Sequence, residues 1–189
     1  MATFFTADTH FGHGGALGLF RRPFPDVASM DTAMAQLWNE TVAPIDEVWH
    51  LGDVAVQPRS PRSASTFVDH LLELLFRLNG RKHLILGNSD LPGWTSWPGW
   101  NSVQPYAEIA VDDVPLVLCH YALRSWNNMG RGAVNLHGHS HGGLPPLLRQ
   151  FDVGVDVRGF RPVTLHDLRR KRQRNQAAGM TPATPRSSS

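Results

Sequence analysis

The sequence predicts a mixed α/β sheet protein. Short apolar runs ending at glycine alternate with stretches of helical periodicity, in strand–helix–strand order at first and mainly as strands later. Chain length agrees: 189 residues suit one domain with a sizeable core.

Thr3–Ala7 is a strand-like run ending at Asp8, after which Gly12, Gly14 and Gly15 break the pattern. Met30, Ala33, Met34, Leu37 and Trp38 recur at helical spacing, predicting an amphipathic helix over about 29–42. Glu47–Leu51 reads as a strand ending in Gly52-Asp53. Phe67, Leu71, Leu74, Leu75 and Leu78 mark a second helix over about 62–78, stopped near Asn79-Gly80. Lys82–Leu86 is a strand ending at Gly87-Asn88.

Leu91–Gln104 reads as a long loop carrying Pro92, Pro98 and Trp94, Trp97 and Trp100. Tryptophans in such a loop commonly anchor it; stacking on a nucleobase is the functional alternative. Tyr106–Val111 and Pro115–Cys119 flank Asp112-Asp113 as a hairpin. Ala133–His137 is a further strand ending at Gly138, and Asp152–Val157 alternates at strand period. Asp152 and Asp156 face the same way on that strand and read as structural. Arg21-Arg22-Pro23-Phe24 reads as a surface turn or a cleft edge.

From Arg169 to Ser189 the chain changes character. Six Lys/Arg fall here without an acid, leaving twelve basic and sixteen acidic residues in 1–168. The overall charge of +2 therefore belongs to a basic tail on an acidic body. The tail is expected to be disordered beyond one helical turn. An acidic body makes a nucleic-acid partner unlikely beyond weak contact through the tail. Cys119 is the single cysteine, so no internal disulfide forms, and a reducing compartment fits. No basic stretch precedes Asp8 and no apolar run approaches the roughly 18 residues of a membrane span, so a cytoplasmic protein without a membrane partner is expected.

Metal-ligating residue types gather where the strands end. Asp8 and His10 are two apart, which on a strand-like backbone points both the same way. Asp53, Asn88 and His120 each follow a strand, and His139 and His141 are again two apart. Ligands of sheet proteins bind beyond strand ends, where loops leave room. Carboxylate, imidazole and amide donors suit Mn, Fe, Zn or Ni better than copper(I). Taken singly, each has a structural explanation as a turn, a cap or a packed histidine.

The ordered set Asp8-Thr9-His10, Gly52-Asp53, Gly87-Asn88-Ser89-Asp90, His120 and Gly138-His139-Ser140-His141 resembles the calcineurin-like metallophosphoesterases. It is most similar to small bacterial-type phosphoesterases whose first block continues as D-T-H-F-G-H, here Asp8–His13. The resemblance implies a four-layer αββα sandwich of two mixed β-sheets flanked by helices. It implies two divalent cations per chain, with Mn favoured. Asp8, His10 and His141 would hold one and Asn88, His120 and His139 the other, with Asp53 bridging.

The implied activity is hydrolysis of a small phosphoester, a diester rather than a monoester, by metal-activated hydroxide attacking phosphorus. Two cations about 3.5–4 Å apart suit that chemistry. The rival readings are a nuclease anchored by the tail and a scaffold that has lost catalysis. Where the family has a phosphate-contacting histidine, this chain has Ser89, which is no acid near neutral pH. His13 is the candidate stand-in, Asp90 would have oriented the missing ring, and Arg124 is a candidate phosphate contact.

Overall fold

The computed structural model describes residues 1–58, 61–145 and 147–170. The basic tail beyond Arg170 lies outside the described residues, and the expectation of disorder there is not addressed by them.

Strand β1 (Thr3–Thr6) is followed by helices α1 (Gly14–Leu19) and α2 (Val27–Thr41), strand β2 (Glu47–His50), helix α3 (Pro61–Arg77) and strand β3 (Arg81–Ile85). A short α4 (Pro92–Thr95) leads to β4 (Trp100–Gln104), β5 (Tyr106–Val111) and β6 (Val114–Cys119). Strands β7 (Val134–His137), β8 (Gln150–Asp152) and β9 (Val163–Thr164) complete the sheets, and 165–170 are helical.

Two mixed sheets result. The first has the order β4-β3-β2-β1-β9, the second β5-β6-β7-β8. In the first, β1 to β4 run parallel and β9 antiparallel. In the second, β5 and β6 form the expected hairpin, while β6, β7 and β8 are parallel. Asp112 and Asp113, both at positive φ, make its tight turn.

Strand alternation explains the layering. Phe4, Val48 and Leu84 face one way and pack with Met30, Met34 and Trp38 of α2 and Leu71, Leu74 and Leu75 of α3. Phe5, Trp49 and Ile85 face the other way and meet Leu116, Leu118, Val134 and Leu136 of the second sheet. The protein is thus a sandwich of two mixed sheets flanked by helices, with α2 and α3 outside the first sheet. On the second sheet, Val117 packs against Trp126, Ala133 and Leu123 of the segment joining β6 to β7. Each leucine fully buried in these layers contributes about 1.5–3 kcal/mol.

Helix α2 starts at Asp26, whose carboxylate accepts from the Ser29 N–H at 2.7 Å, an N-cap worth about 1 kcal/mol. Leu165 and Leu168 are buried in the layer between the sheets, so the body extends through the 165–170 turn.

Two sequence expectations of secondary structure need correction. The loop expected over Leu91–Gln104 contains α4 and the edge strand β4. Its tryptophans anchor it: Trp94 is fully buried, its Nε1–H bonds Asp90, and the Trp100 Nε1–H bonds the Trp94 carbonyl. The strand expected over Asp152–Val157 stops at Asp152, and 155–157 form a 3₁₀ turn after Gly154. Helix α1 and strand β9 were not legible, being short and without periodicity.

Candidate metal centre

All five blocks sit just past the C-terminal ends of mutually parallel strands, β1, β2 and β3 in one sheet and β6 and β7 in the other. Those ends lie side by side. The Asp8 N–H bonds the Gly52 carbonyl, the His10 N–H bonds the Asp53 carbonyl, and the Gly138 N–H bonds the His120 carbonyl. Across the sandwich, the Val155 N–H bonds the Ala7 carbonyl.

Strand alternation is not what pairs Asp8 with His10, which corrects the sequence argument. β1 ends at Thr6, and both residues adopt left-handed backbone, with φ of 58° and 49°. Asp53, His139 and His141 do the same, at 55°, 64° and 45°. Asp and His tolerate this region better than most residues, at a cost of order 1–3 kcal/mol each. The surrounding hydrogen bonds must enforce it.

Glycine allows the turns to touch. A Cβ on Gly52 would lie 2.6 Å from Gly87 Cα and 2.8 Å from His120 Nδ1. One on Gly138 would lie 2.5 Å from Ala7 Cβ and 2.7 Å from an Asp8 carboxylate oxygen. Only a residue without Cβ permits these approaches.

The side chains converge. Asp8, His10 and His141 offer ligand atoms within 4.8 Å of one another, and so do Asp8, Asp53 and His120. His10 Nε2 lies 3.7 Å from Asp53 Oδ2, and His120 Nε2 lies 3.6 Å from Asp53 Oδ1. Asn88 Oδ1 is 3.0 Å from His120 Nε2, and Asn88 Nδ2 is 3.4 Å from Asp53 Oδ2. The His139 ring lies 5.1 Å from that of His120, and its backbone N–H bonds both Asp8 oxygens at 3.0 and 2.9 Å. The seven residues singled out from the sequence form one contiguous cluster.

The donor chemistry fits a cation. His120 Nδ1 lies 2.8 Å from the Leu51 carbonyl, which can only accept, so Nδ1 carries the proton. Burial holds this imidazole below its ordinary pKa, leaving Nε2 a bare lone pair facing Asn88 Oδ1 and Asp53 Oδ1. Three acceptors meet there. His10 is buried with no hydrogen-bond partner at either ring nitrogen. Burial, then the charge of Arg22, pushes its pKa down to about 3, so the ring is neutral. The Asp8 carboxyl is pushed well above its usual range by burial and by Asp152, Asp53 and Asp156, against the opposing His139 N–H. Buried bare imidazoles among clustered carboxylates are what a divalent cation satisfies.

The remaining singled-out residues fall into place differently. Ser89 turns its N–H and hydroxyl onto Asp53. The Asp90 carboxylate accepts from the N–H groups of Asp53, Val54 and Gly87 and from Trp94 Nε1. His13 stands beside the cluster, its ring 5.6 Å from that of His10, at the start of α1 without capping it. Burial and Arg22 lower its pKa. Arg124 is exposed and makes no hydrogen bond or ion pair among the described residues.

Residues outside the motif blocks also serve the cluster. Arg22, which reads from sequence as a turn or cleft edge, has a fully buried side chain that ion-pairs with Asp156. Asp156, read as structural, bonds His141 Nδ1 at 2.7 Å. Asp152 accepts from the Ser140 hydroxyl and the Gly142 N–H, shaping the turn between His139 and His141. Phe20 stacks on His141, with ring centroids 3.5 Å apart, and Tyr121 packs edge-on against His120 and His139. For these residues the sequence offers only the cleft-edge alternative at Arg22, and the strand alternation expected for Asp152 and Asp156 is not what places them.

No protein-family model matches the chain. The gene 66 protein of Mycobacterium phage D29 is 31% identical over 182 residues, covering 81% of this chain and 87% of that protein. The chain belongs to the family of this phage protein. An uncharacterized protein of Methanocaldococcus jannaschii is 28% identical over 166 residues, covering 84% of each chain. Among solved structures, a protein of unknown function from Aquifex aeolicus superposes with a TM-score of 0.70 at 18% identity, covering 89% of this chain and 98% of that one. It shares the fold. A looser overlap, with a TM-score of 0.45 and 16% identity over 82% of each chain, is with an archaeal phosphodiesterase.

Proposed function

We propose that the protein is a dinuclear metal-dependent phosphoesterase with a preference for small phosphodiesters. The observation that carries this reading is the convergence of bare acceptors. His120 Nε2, Asn88 Oδ1 and Asp53 Oδ1 face one another with no donor among the three, and the buried His10 ring has no hydrogen-bond partner. Asp8, His10 and His141 would hold one ion and Asn88, His120 and His139 the other, with Asp53 shared. Bound there, two divalent cations supply charge to grip a phosphoryl group and acidify a water.

The chain's own residues do the rest. The hydrogen bond to the Leu51 carbonyl fixes the His120 ring with Nε2 inward. Asp156 does the same for His141. Ser89 and Asp90 hold Asp53 from its side chain and its backbone N–H. Arg22 is spent on internal partners, so it is not a substrate clamp. A singly charged diester meets less repulsion from the surrounding carboxylates than a doubly charged monoester, which supports the diester preference. Leaving-group departure relies on the leaving group's own acidity, because Ser89 has no proton to give near neutral pH.

Elemental analysis of purified protein reconstituted with Mn, followed by a screen of mono-, di- and cyclic phosphoesters, tests the reading. About two ions per chain and turnover of aryl diesters are expected. Trace metal only, or no turnover of any phosphoester by the loaded protein, overturns it.

A further inference from the structure

We propose that Arg22 and Asp156 are positioning residues that aim His141, and that a single guanidinium thereby registers the first ligand turn against the last. The inference rests on the reading of the cluster as a metal centre. Its core is a chain of contacts between residues 134 positions apart in sequence.

Arg22 Nε donates to Asp156 Oδ1 at 2.8 Å and Nη2 donates to Oδ2 at 3.0 Å, a two-pronged pair. Nη2 also donates to the Asp8 carbonyl and Nη1 to the Thr9 carbonyl, both at 2.7 Å. The last Nη1 donor reaches Met30 Sδ at 3.5 Å. All five guanidinium donors are thus engaged on a side chain with no solvent exposure. Two hold the left-handed turn that presents Asp8 and His10. Two hold the carboxylate that faces His141.

Asp156 Oδ2 also lies 2.7 Å from His141 Nδ1. A carboxylate can only accept, so the proton sits on Nδ1 and Nε2 is left for the cluster. Phe20 covers one face of the His141 ring, and the Arg22 guanidinium lies 5.5 Å from the centre of the Phe20 ring. Arg22 therefore touches both groups that restrain His141. Lysine could reproduce its charge but not its five-donor fork.

The test uses the full chain and Co²⁺, titrated with the visible absorption bands as readout. Wild type is compared with Arg22→Lys and with the double variant Arg22→Met/Asp156→Leu. The double variant removes both buried partners together, so no unpaired charge is left to unfold the protein. Both variants are expected to bind one of two ions about 10–100-fold more weakly, with its bands altered, and the second ion as wild type does. Ring ¹⁵N shifts of metal-free protein should show His141 protonated at Nδ1 in wild type and mixed in the double variant. A folded variant that binds both ions with wild-type affinity and bands, at whatever melting temperature, overturns the relay alone. A wild type that binds no Co²⁺ overturns the metal centre and the relay with it.

Discussion

Ser89 spends both of its donors on Asp53: its backbone N–H reaches Oδ1 at 2.8 Å and its hydroxyl reaches Oδ2 at 3.0 Å. A hydroxyl committed to a carboxylate is a brace, with no proton for a departing alkoxide. Rates across a series of aryl and alkyl diesters should therefore fall steeply as leaving-group pKa rises. Ser89→Ala should lower kcat/KM about tenfold or more through a looser Asp53, since hydrogen bonds to charged groups contribute about 1.5–3 kcal/mol, while leaving the slope unchanged. Ser89→His should flatten the slope. A shallow wild-type slope would show that protonation of the leaving group does not limit the rate.

Asp53 is the bridge in the proposed two-ion site, and His10, Asn88, Ser89 and His120 all approach its carboxylate. Asp53→Ala should be the most damaging single change, taking metal content from about two ions per chain to less than one. Elemental analysis before and after dialysis reads this directly. Full metal retention would remove Asp53 from the bridging role.

Asp90 tests the difference between bracing and chemistry. Its carboxylate satisfies four N–H donors from two loops and helix α4. Asp90→Ala leaves them unpaired at about 1–3 kcal/mol each where water cannot reach. A melting-temperature drop of about 10 °C or more is expected, since each kcal/mol is worth about 2–4 °C at this chain size. An unchanged melting temperature with lost turnover would instead make Asp90 a direct participant in the reaction.

His50 gives the fold a pH dependence of known sign. It is buried against Trp38, with Nε2 on the Thr9 hydroxyl, and burial pushes its pKa down to about 4. The unfolded chain binds a proton at about pH 6.5, which the folded chain refuses until about pH 4. Stability from this group is therefore complete above pH 6.5 and is lost as the pH falls toward 4, by up to about 3 kcal/mol. Urea midpoints measured between pH 7 and 4 should fall less steeply in His50→Gln than in wild type. Parallel curves would assign the acid sensitivity elsewhere.

What could be read from the sequence was whatever is local. The helices α2 and α3 show their buried stripes within a few turns, and strand ends are marked by Gly52, Gly87 and Gly138 beside the polar residues they release. The ordered blocks placed seven residues that the fold does bring together. Arg22 stayed illegible because its meaning lies in Asp156, 134 positions on, and no periodicity connects them. The α4–β4 segment stayed illegible because its pairing is tertiary: β4 is an edge strand held by β3 and by buried Trp94 and Trp100, so its polar letters WNSVQ carry little pattern. Asp8 and His10 do converge, but left-handed turns, and not the strand alternation that their spacing suggests, aim them.

Those left-handed turns restrict what evolution or an engineer can place in the cluster. At Asp8, His10, Asp53, His139 and His141 a substitute has to suit the backbone before it ever meets an ion. Asparagine and aspartate pass that filter readily, whereas β-branched residues fail it. The chemical alphabet open to these five positions is therefore shorter than the list of possible ligands. A change of metal preference is easier to obtain at Asn88 and His120, which lie outside the left-handed set, or from the braces behind the cluster.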